Sequence, residues 1–226
     1  MIPPSTTITE EGRRPRRALL WLAGLVVAVN LLAWGITRLT SGRGVDGPDG
    51  SSYVTTPDGA AAVEGLLDRL GVATVRIRRP LDEIELDPAG TLLALDVSSS
   101  PYTSSALEAI DEFMAAGGRL VVAGQAEFVE RLFPDAPRWR TAGADSALTV
   151  GDVAGAGEEV RLGRFGSFEV TAADERFLTD GDTVIGVSRR VGRGTFVWIA
   201  DSFPFHNGGI GRGRNAVAVV GMIDPA

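Results

Sequence analysis

From Ala18 to Thr37 the chain runs for 20 residues without a charge, inside the apolar stretch ALLWLAGLVVAVNLLAWGITRL that ends at Leu39. That is the length of a helix crossing the hydrocarbon core of a bilayer. Trp21 and Trp34 fall near its two ends, where amphipathic rings favour the membrane–water interface, and Gly24, Ala28 and Asn30 are tolerated within such a helix. A cleaved signal peptide would have a shorter apolar core and small residues before the cut, whereas Arg38, Leu39 and Thr40 follow here. The segment 18–39 is therefore expected to be an uncleaved transmembrane helix. The arginines of RRPRR, Arg13 to Arg17, outweigh Arg38 and Arg43, so residues 1–17 are expected to form a cytoplasmic tail and the rest to lie outside the cell membrane.

Residues 40–52, TSGRGVDGPDGSS, are rich in Gly, Ser, Asp and Pro and read as a flexible linker. Residues 53–226 are left as one extracytoplasmic domain, large enough to bury a core. All 22 basic residues are arginine, and six of them flank the apolar segment. Beyond residue 43 the chain holds 16 Arg against 27 acidic residues, a net charge of −11. Such a surface argues against nucleic acid as a partner. The absence of cysteine excludes disulfides, thiolate metal sites and cysteine nucleophiles, and the single histidine, His206, excludes a multi-histidine metal site.

Within the domain, Thr56 can cap a helix carrying Pro57 and Asp58 in its first turn, with Ala62, Val63, Leu66, Leu67 and Leu70 at helical spacing and Gly71 as its stop. VATVRI, Val72 to Ile77, reads as a strand, and TLLALDV, Thr91 to Val97, as a second and more buried one. A capped helix follows, with Ala106, Leu107, Ile110, Phe113 and Met114 on one face, and then the strand RLVVAG. This alternation predicts an α/β fold with a mostly parallel sheet. The pattern changes beyond Pro134 to short alternating runs, EEVRLGRF and then DTVIGVSRRVGRGTFVWIAD, the latter a β-hairpin turning at Gly192-Arg193-Gly194. NAVAVVGMI, Asn215 to Ile223, reads as a closing helix.

Open α/β sheets bind ligands beyond the carboxyl ends of their strands. The polar residues expected there are Asp96 with Ser98, Ser99 and Ser100 after one strand, Gln125 after the next, and Asp201 with Ser202 after the hairpin. The plainer reading has the serines capping the helix at Tyr102–Thr103 and Asp201 starting a turn. His206 with Asp201 and a serine could form a hydrolytic relay, but no G-x-S-x-G surrounds any serine after a strand, and a solvent-exposed loop histidine is the favoured assignment. Asn207 to Asn215, NGGIGRGRN, matches no phosphate-binding motif. The acidic run Leu81 to Asp87 lacks EF-hand spacing and reads as a solvated loop, with Arg76, Arg78 and Arg79 as an exposed strand end.

The runs SSYVTTPDGAAAVEGLL, TLLALDVSSSPYTSSALEAIDEFMAAGGRLVVAG and GRGTFVWIADSFPFHNGGIGRGRNAVAVV together resemble the bacterial membrane-protein family known as domain of unknown function 4350. The likeness is strongest at PDG, at AGGRLVV and at the asparagine pair Asn207 and Asn215. It implies a flavodoxin-like fold related to the class I glutamine amidotransferases, and neighbours of the MoxR-type ATPase or membrane-protein kind. In catalytic amidotransferases the strand equivalent to RLVVAG leads into a cysteine nucleophile, and the matching place here is Gln125, an amide. Family members usually run longer and end in a second membrane helix, whereas this chain ends three residues after Ile223, and the acidic residue expected before the second asparagine is Arg214.

The sequence thus leads to a non-catalytic, membrane-anchored, amidotransferase-like domain that binds a partner protein or small ligand at Ser98, Ser99, Gln125 and Asp201, with no cofactor and no metal. The alternative is a cell-envelope hydrolase or transferase using Asp, Ser or His206 at the strand ends.

Overall fold

The computed structural model describes residues 50–96, 102–141, 150–153, 158–163, 166–171 and 174–224. Two compact units divide the chain, 1–44 and 45–226, and all of the described residues belong to the second. The expected transmembrane segment 18–39, the tail before it and most of the linker lie outside the described residues. Among the described residues no helix is long and apolar enough to cross a membrane.

Helix α1 (Ala61–Arg69) leads to a 3₁₀ turn (Leu81–Glu83), strand β1 (Thr91–Leu95), helix α2 (Ser104–Ala116), strand β2 (Arg119–Ala123) and helix α3 (Glu127–Leu132). Short strands follow: β3 (Arg138–Thr141), β4 (Val150–Val153), β5 (Glu158–Arg161), β6 (Gly166–Glu169) and β7 (Glu175–Asp180). The long hairpin β8 (Thr183–Val191) and β9 (Gly194–Ile199) comes next, and helix α4 (Asn215–Ile223) closes the domain. The sheet runs β1-β2-β9-β8-β7-β4-β5, and β6 joins β3 to β8 beside this path.

The fold is mixed α/β, and its sheet is not mostly parallel. Only β1–β2 and β2–β9 pair in parallel, while β8–β9, β7–β8, β4–β7, β4–β5, β6–β8 and β3–β6 are antiparallel. A helical crossover joins β1 to β2 in parallel; past Pro134, β4–β5, β7–β8 and β8–β9 are linked by only two to four residues, and strands joined so closely pair antiparallel. The expected strand Val72–Ile77 does not form. Its residues carry no strand pairing, and Val75 is 89% exposed. A β-branched run favours extended backbone, but a strand also needs a hydrogen-bonding neighbour.

The core forms where the parallel and antiparallel halves meet. In β2, Leu120, Val121, Val122 and Ala123 are all fully buried, so both faces of the strand are covered, and α2 and α4 pack on it. Helix α2 supplies Ile110, Phe113 and Met114, and α4 supplies Val219 and Met222. Burial of each such side chain contributes about 1.5–3 kcal/mol. Trp198, next to the end of β9, packs against Phe168 and Phe196, with ring centroids 4.7 and 6.2 Å away.

Two asparagines tie the loops to this core. Asn207 Oδ1 accepts from the Ala62 N–H at 2.7 Å, and its Nδ2 donates to the Val54 and Thr56 carbonyls at 2.9 and 2.7 Å. Helix α1 is therefore capped from 145 residues away, and not by Thr56 as its sequence suggested. Helix α2 does carry a local cap, Thr103, whose Oγ1 accepts from the Ala106 N–H. Asn215, fully buried, accepts from the Arg161 N–H and donates to the Arg161 and Gly209 carbonyls at 2.7, 2.9 and 2.9 Å. The β5 end thus closes against the loop as a two-way, strand-like pair made by one side chain.

Asn215→Ala leaves that buried donor and those acceptors unmatched, each costing about 1–3 kcal/mol. We expect a stability loss of roughly 3 kcal/mol in chemical denaturation. A change below about 0.5 kcal/mol, the range of ordinary surface substitutions, would contradict this role.

Candidate functional site

The carboxyl ends of the three parallel strands converge. After β1 stands Asp96, after β2 Gly124 and Gln125, and after β9 Ala200, Asp201 and Ser202. Two indoles fix this edge: Trp198 Nε1 donates to the Gly124 carbonyl and Trp139 Nε1 to the Ala200 carbonyl, both at 2.9 Å. The backbone where β2 and β9 end is thereby held by side chains rooted in the core.

Asp96 has φ 47°, the one positive φ outside glycine among the described residues. Aspartate tolerates this left-handed region better than most residues, yet it carries a conformational cost, and such strain concentrates at functional sites. The turn aims the Asp96 carboxylate at His206, whose Nε2 lies 2.6 Å from Asp96 Oδ2. Gly124, with φ 85°, makes room: a Cβ there would meet Asp96 Oδ1 at 2.2 Å.

His206 is not the exposed loop residue that its sequence context suggested. It is 7% exposed, at the end of a 3₁₀ turn (Phe203–Phe205) whose Phe205 is fully buried. Apolar anchors on both sides drive the imidazole inward, and the carboxylate of Asp96 meets it there. The backbone C=O of His206 accepts from the Gly209 and Ile210 N–H groups at 2.9 and 2.8 Å, so the residue is fixed at main chain and side chain alike. The carboxylate that meets the His206 Nε2 is that of Asp96.

Asp201 and Ser202 are each 2% exposed. Asp201 Oδ1 accepts from the Phe203 N–H at 2.9 Å, the turn-starting role read from the sequence. Gln125 is exposed after β2, two residues before helix α3 begins. Ser98 and Ser99 lie outside the described residues. Of the four residues singled out from the sequence, Gln125 and Asp201 thus follow neighbouring strands at one edge, and Asp96 and His206 join them as a hydrogen-bonded pair that sequence reasoning did not assemble. Across the entrance Tyr102 stacks on Phe128 with centroids 4.4 Å apart, and burial pushes the Tyr102 phenol above its ordinary range.

The arrangement gathers two carboxylates, an imidazole, a hydroxyl and an amide at the strand ends, most of them buried. Among the described residues no group of three or more His, Cys, Asp or Glu side chains is placed to hold a metal ion. A catalytic thiol is impossible in this chain, and the residue at the elbow after β2 is an amide that cannot act as an acyl-transfer nucleophile.

Comparison with known proteins places residues 52–223 within a single family model, described as Domain of unknown function (DUF4350). The chain belongs to this family. No curated protein matches it. Among solved structures, it is similar to the mmIFT52 N-terminal domain at 13% identity, covering 70% of this chain and 87% of that one with a TM-score of 0.49. It is also similar to the exo-β-1,4-mannosidase Op5Man5 from Opitutaceae bacterium strain TAV5 at 12% identity, covering 70% of this chain and 28% of that one with a TM-score of 0.45. The β-galactosidase from Rahnella sp. R3 is similar at 15% identity over 50% of this chain, with a TM-score of 0.38, and the chain spans 20% of its length.

The asparagines that the family resemblance singled out, Asn207 and Asn215, are structural ties; they place the 200–215 segment, and with it His206, over the strand ends. The same holds for the PDG turn, since a Cβ at Gly59 would meet the Val54 carbonyl oxygen at 2.0 Å.

Gly124→Ala should displace Asp96 and strain the turn, at about 1–3 kcal/mol for the forced positive φ and a similar amount for the overlap. We expect a lowered thermal midpoint together with faster modification of His206 by diethyl pyrocarbonate. An unchanged midpoint and unchanged imidazole reactivity would show that Gly124 does not govern the Asp96–His206 contact.

Proposed function

We propose that this DUF4350 protein is a single-pass, membrane-anchored, amidotransferase-like domain that binds a partner protein or small ligand without catalysis, in the crevice at the carboxyl ends of β1, β2 and β9. The observation that carries this reading is the gathering of Asp96, Asp201, Ser202 and His206, all polar and mostly buried, at one sheet edge beside Gln125. Polar groups cost free energy to bury, and their concentration where helices and strands aim their termini is the mark of a recognition site. The anchor rests on the uncharged stretch from Ala18 to Thr37, and the extracytoplasmic placement on the arginines before it. A MoxR-type ATPase system or another membrane protein is the proposed neighbour, on the family resemblance.

The non-catalytic reading is supported by the amide at position 125 and the lack of any thiol, which remove cysteine-dependent amidotransferase chemistry. The second reading, a cell-envelope hydrolase or transferase, is favoured by one observation only: a carboxylate and an imidazole at 2.6 Å resemble the orienting half of a catalytic relay.

Purification of the intact protein in mild detergent, with mass spectrometry of what accompanies it, identifies the partner and allows both readings to be tested. Gln125→Ala should weaken capture several-fold while the thermal midpoint moves little, since Gln125 is exposed. If this variant and Asp201→Ala bind as the parent does, and substitutions at the opposite sheet edge abolish capture, the crevice is not the binding site. Covalent labelling of Ser202 or another serine by a fluorophosphonate probe, lost on His206→Ala, would replace the binding reading with the hydrolytic one.

A further inference from the structure

Residues 72–87 remain outside the sheet and outside the crevice. The Val72 N–H bonds back to the Leu67 carbonyl, but from residue 73 to 79 no backbone group is hydrogen-bonded to a described residue. The guanidinium groups of Arg76 and Arg78 both lie over the Tyr53 ring, 4.2 and 4.9 Å from its centroid, and Arg76 pairs with Glu64 while Arg78 donates to the Tyr53 hydroxyl. In an extended chain alternate side chains share a face. With Arg76 and Arg78 docked on Tyr53, Val75 and Ile77 are turned away from it, 89% and 41% exposed. The segment is thus held on Tyr53 by its arginines while Val75, Ile77 and the backbone groups of 73–79 stay open, a surface able to take up another chain.

The adjoining stretch has the opposite charge. Leu81 is buried, and Ile84 and Leu86 are half-buried against the core, which turns Asp82, Glu83 and Glu85 outward. Arg79 and these three carboxylates are exposed, and none of them forms an ion pair with a described residue, although they are close neighbours in sequence. The rest of the domain is strongly acidic, so any association of two such domains is opposed by repulsion unless a local basic surface meets an acidic one.

We infer that residues 72–87 form the surface through which two copies of this chain pair across a two-fold axis, the basic, apolar half of each lying against the acidic half of the other. A two-fold contact is isologous, so every favourable pair occurs twice. A single segment carrying both complements fits that symmetry. An acidic peptide from a different protein would match Arg79 but leave Asp82, Glu83 and Glu85 all unmatched; a second copy gives Arg79 a carboxylate and Glu85 an arginine in the same contact. Val75 and Ile77 lose exposure in the contact, and each Arg79 meets Glu85 of the other copy. None of the residues in this contact belongs to the crevice set, and the inference stands independently of what the crevice binds.

The intact protein in mild detergent, measured by sedimentation velocity with the detergent contribution matched out, should associate as a dimer that weakens as salt is raised. Arg79→Glu and Glu85→Arg, at exposed positions without described partners, should each weaken association at least ten-fold with the thermal midpoint unchanged. The double variant should dimerise again. So should an equimolar mixture of the two single variants, because Glu at 79 in one copy then faces Arg at 85 in the other while the second contact keeps its native pair. A parent that stays monomeric, single variants that associate as the parent does, or a double variant and a mixture both as dissociated as the single variants would each overturn the inference.

Discussion

Asn207 is the side chain on which the arrangement of the domain most depends. Its amide caps helix α1 and holds the Val54 and Thr56 carbonyls, while its own N–H donates to the Gly59 carbonyl at 2.7 Å. One residue therefore joins the start of the domain to the segment that follows β9. Three hydrogen bonds to backbone groups at 2.7–2.9 Å, each worth about 1 kcal/mol net and more if left unmatched, make this tie strong for a loop. The residue before it is His206. Fixing Asn207 on α1 and its preceding turn fixes the imidazole next to it, and the buried Phe205 prevents the segment from lifting away.

The site follows from that constraint and from the parallel end of the sheet. Strands β1, β2 and β9 bring Asp96, Gly124 and Asp201 to one edge, the strained turn at Asp96 points its carboxylate toward the crevice, and the glycine at 124 leaves space for it. The antiparallel half of the sheet plays a supporting part. Trp139, from β3, and Trp198, from β9, fasten the carbonyls on which the edge is built. Arg189 in β8 bridges Asp174 and Asp135 at 2.5 and 2.8 Å and ties the loops after α3 and β6 to the long hairpin.

Local signals in the sequence carried much of this. The continuous apolar runs of β1 and β2, the hairpin turning at Gly192, the amphipathic α2 and the apolar α4 were all legible, because propensity, pattern and turn chemistry agree there. The polar residues read after the strand ends, Asp96, Gln125 and Asp201, do follow β1, β2 and β9. What was not legible depends on contacts remote in sequence. The cap of α1 comes from Asn207, the run Val72–Ile77 lacks a sheet neighbour despite its β-branched composition, and His206 acquires its burial and its carboxylate from elements 110 residues apart. A histidine flanked by Phe205 and Asn207 could have been suspected of burial from the aromatic cluster FPF before it; nothing local named Asp96 as its partner.

The central claim is that His206 is held at the strand ends by Asp96. Because the chain has a single histidine, selective ¹⁵N labelling of that imidazole and a long-range ¹H–¹⁵N correlation spectrum report on it without overlap. The account predicts a proton on Nε2 that exchanges slowly with water in the parent protein and becomes fast-exchanging in Asp96→Gly, a replacement that keeps the positive φ without strain and removes the carboxylate. An imidazole that exchanges rapidly in both proteins, with the same averaged nitrogen shifts, would contradict it.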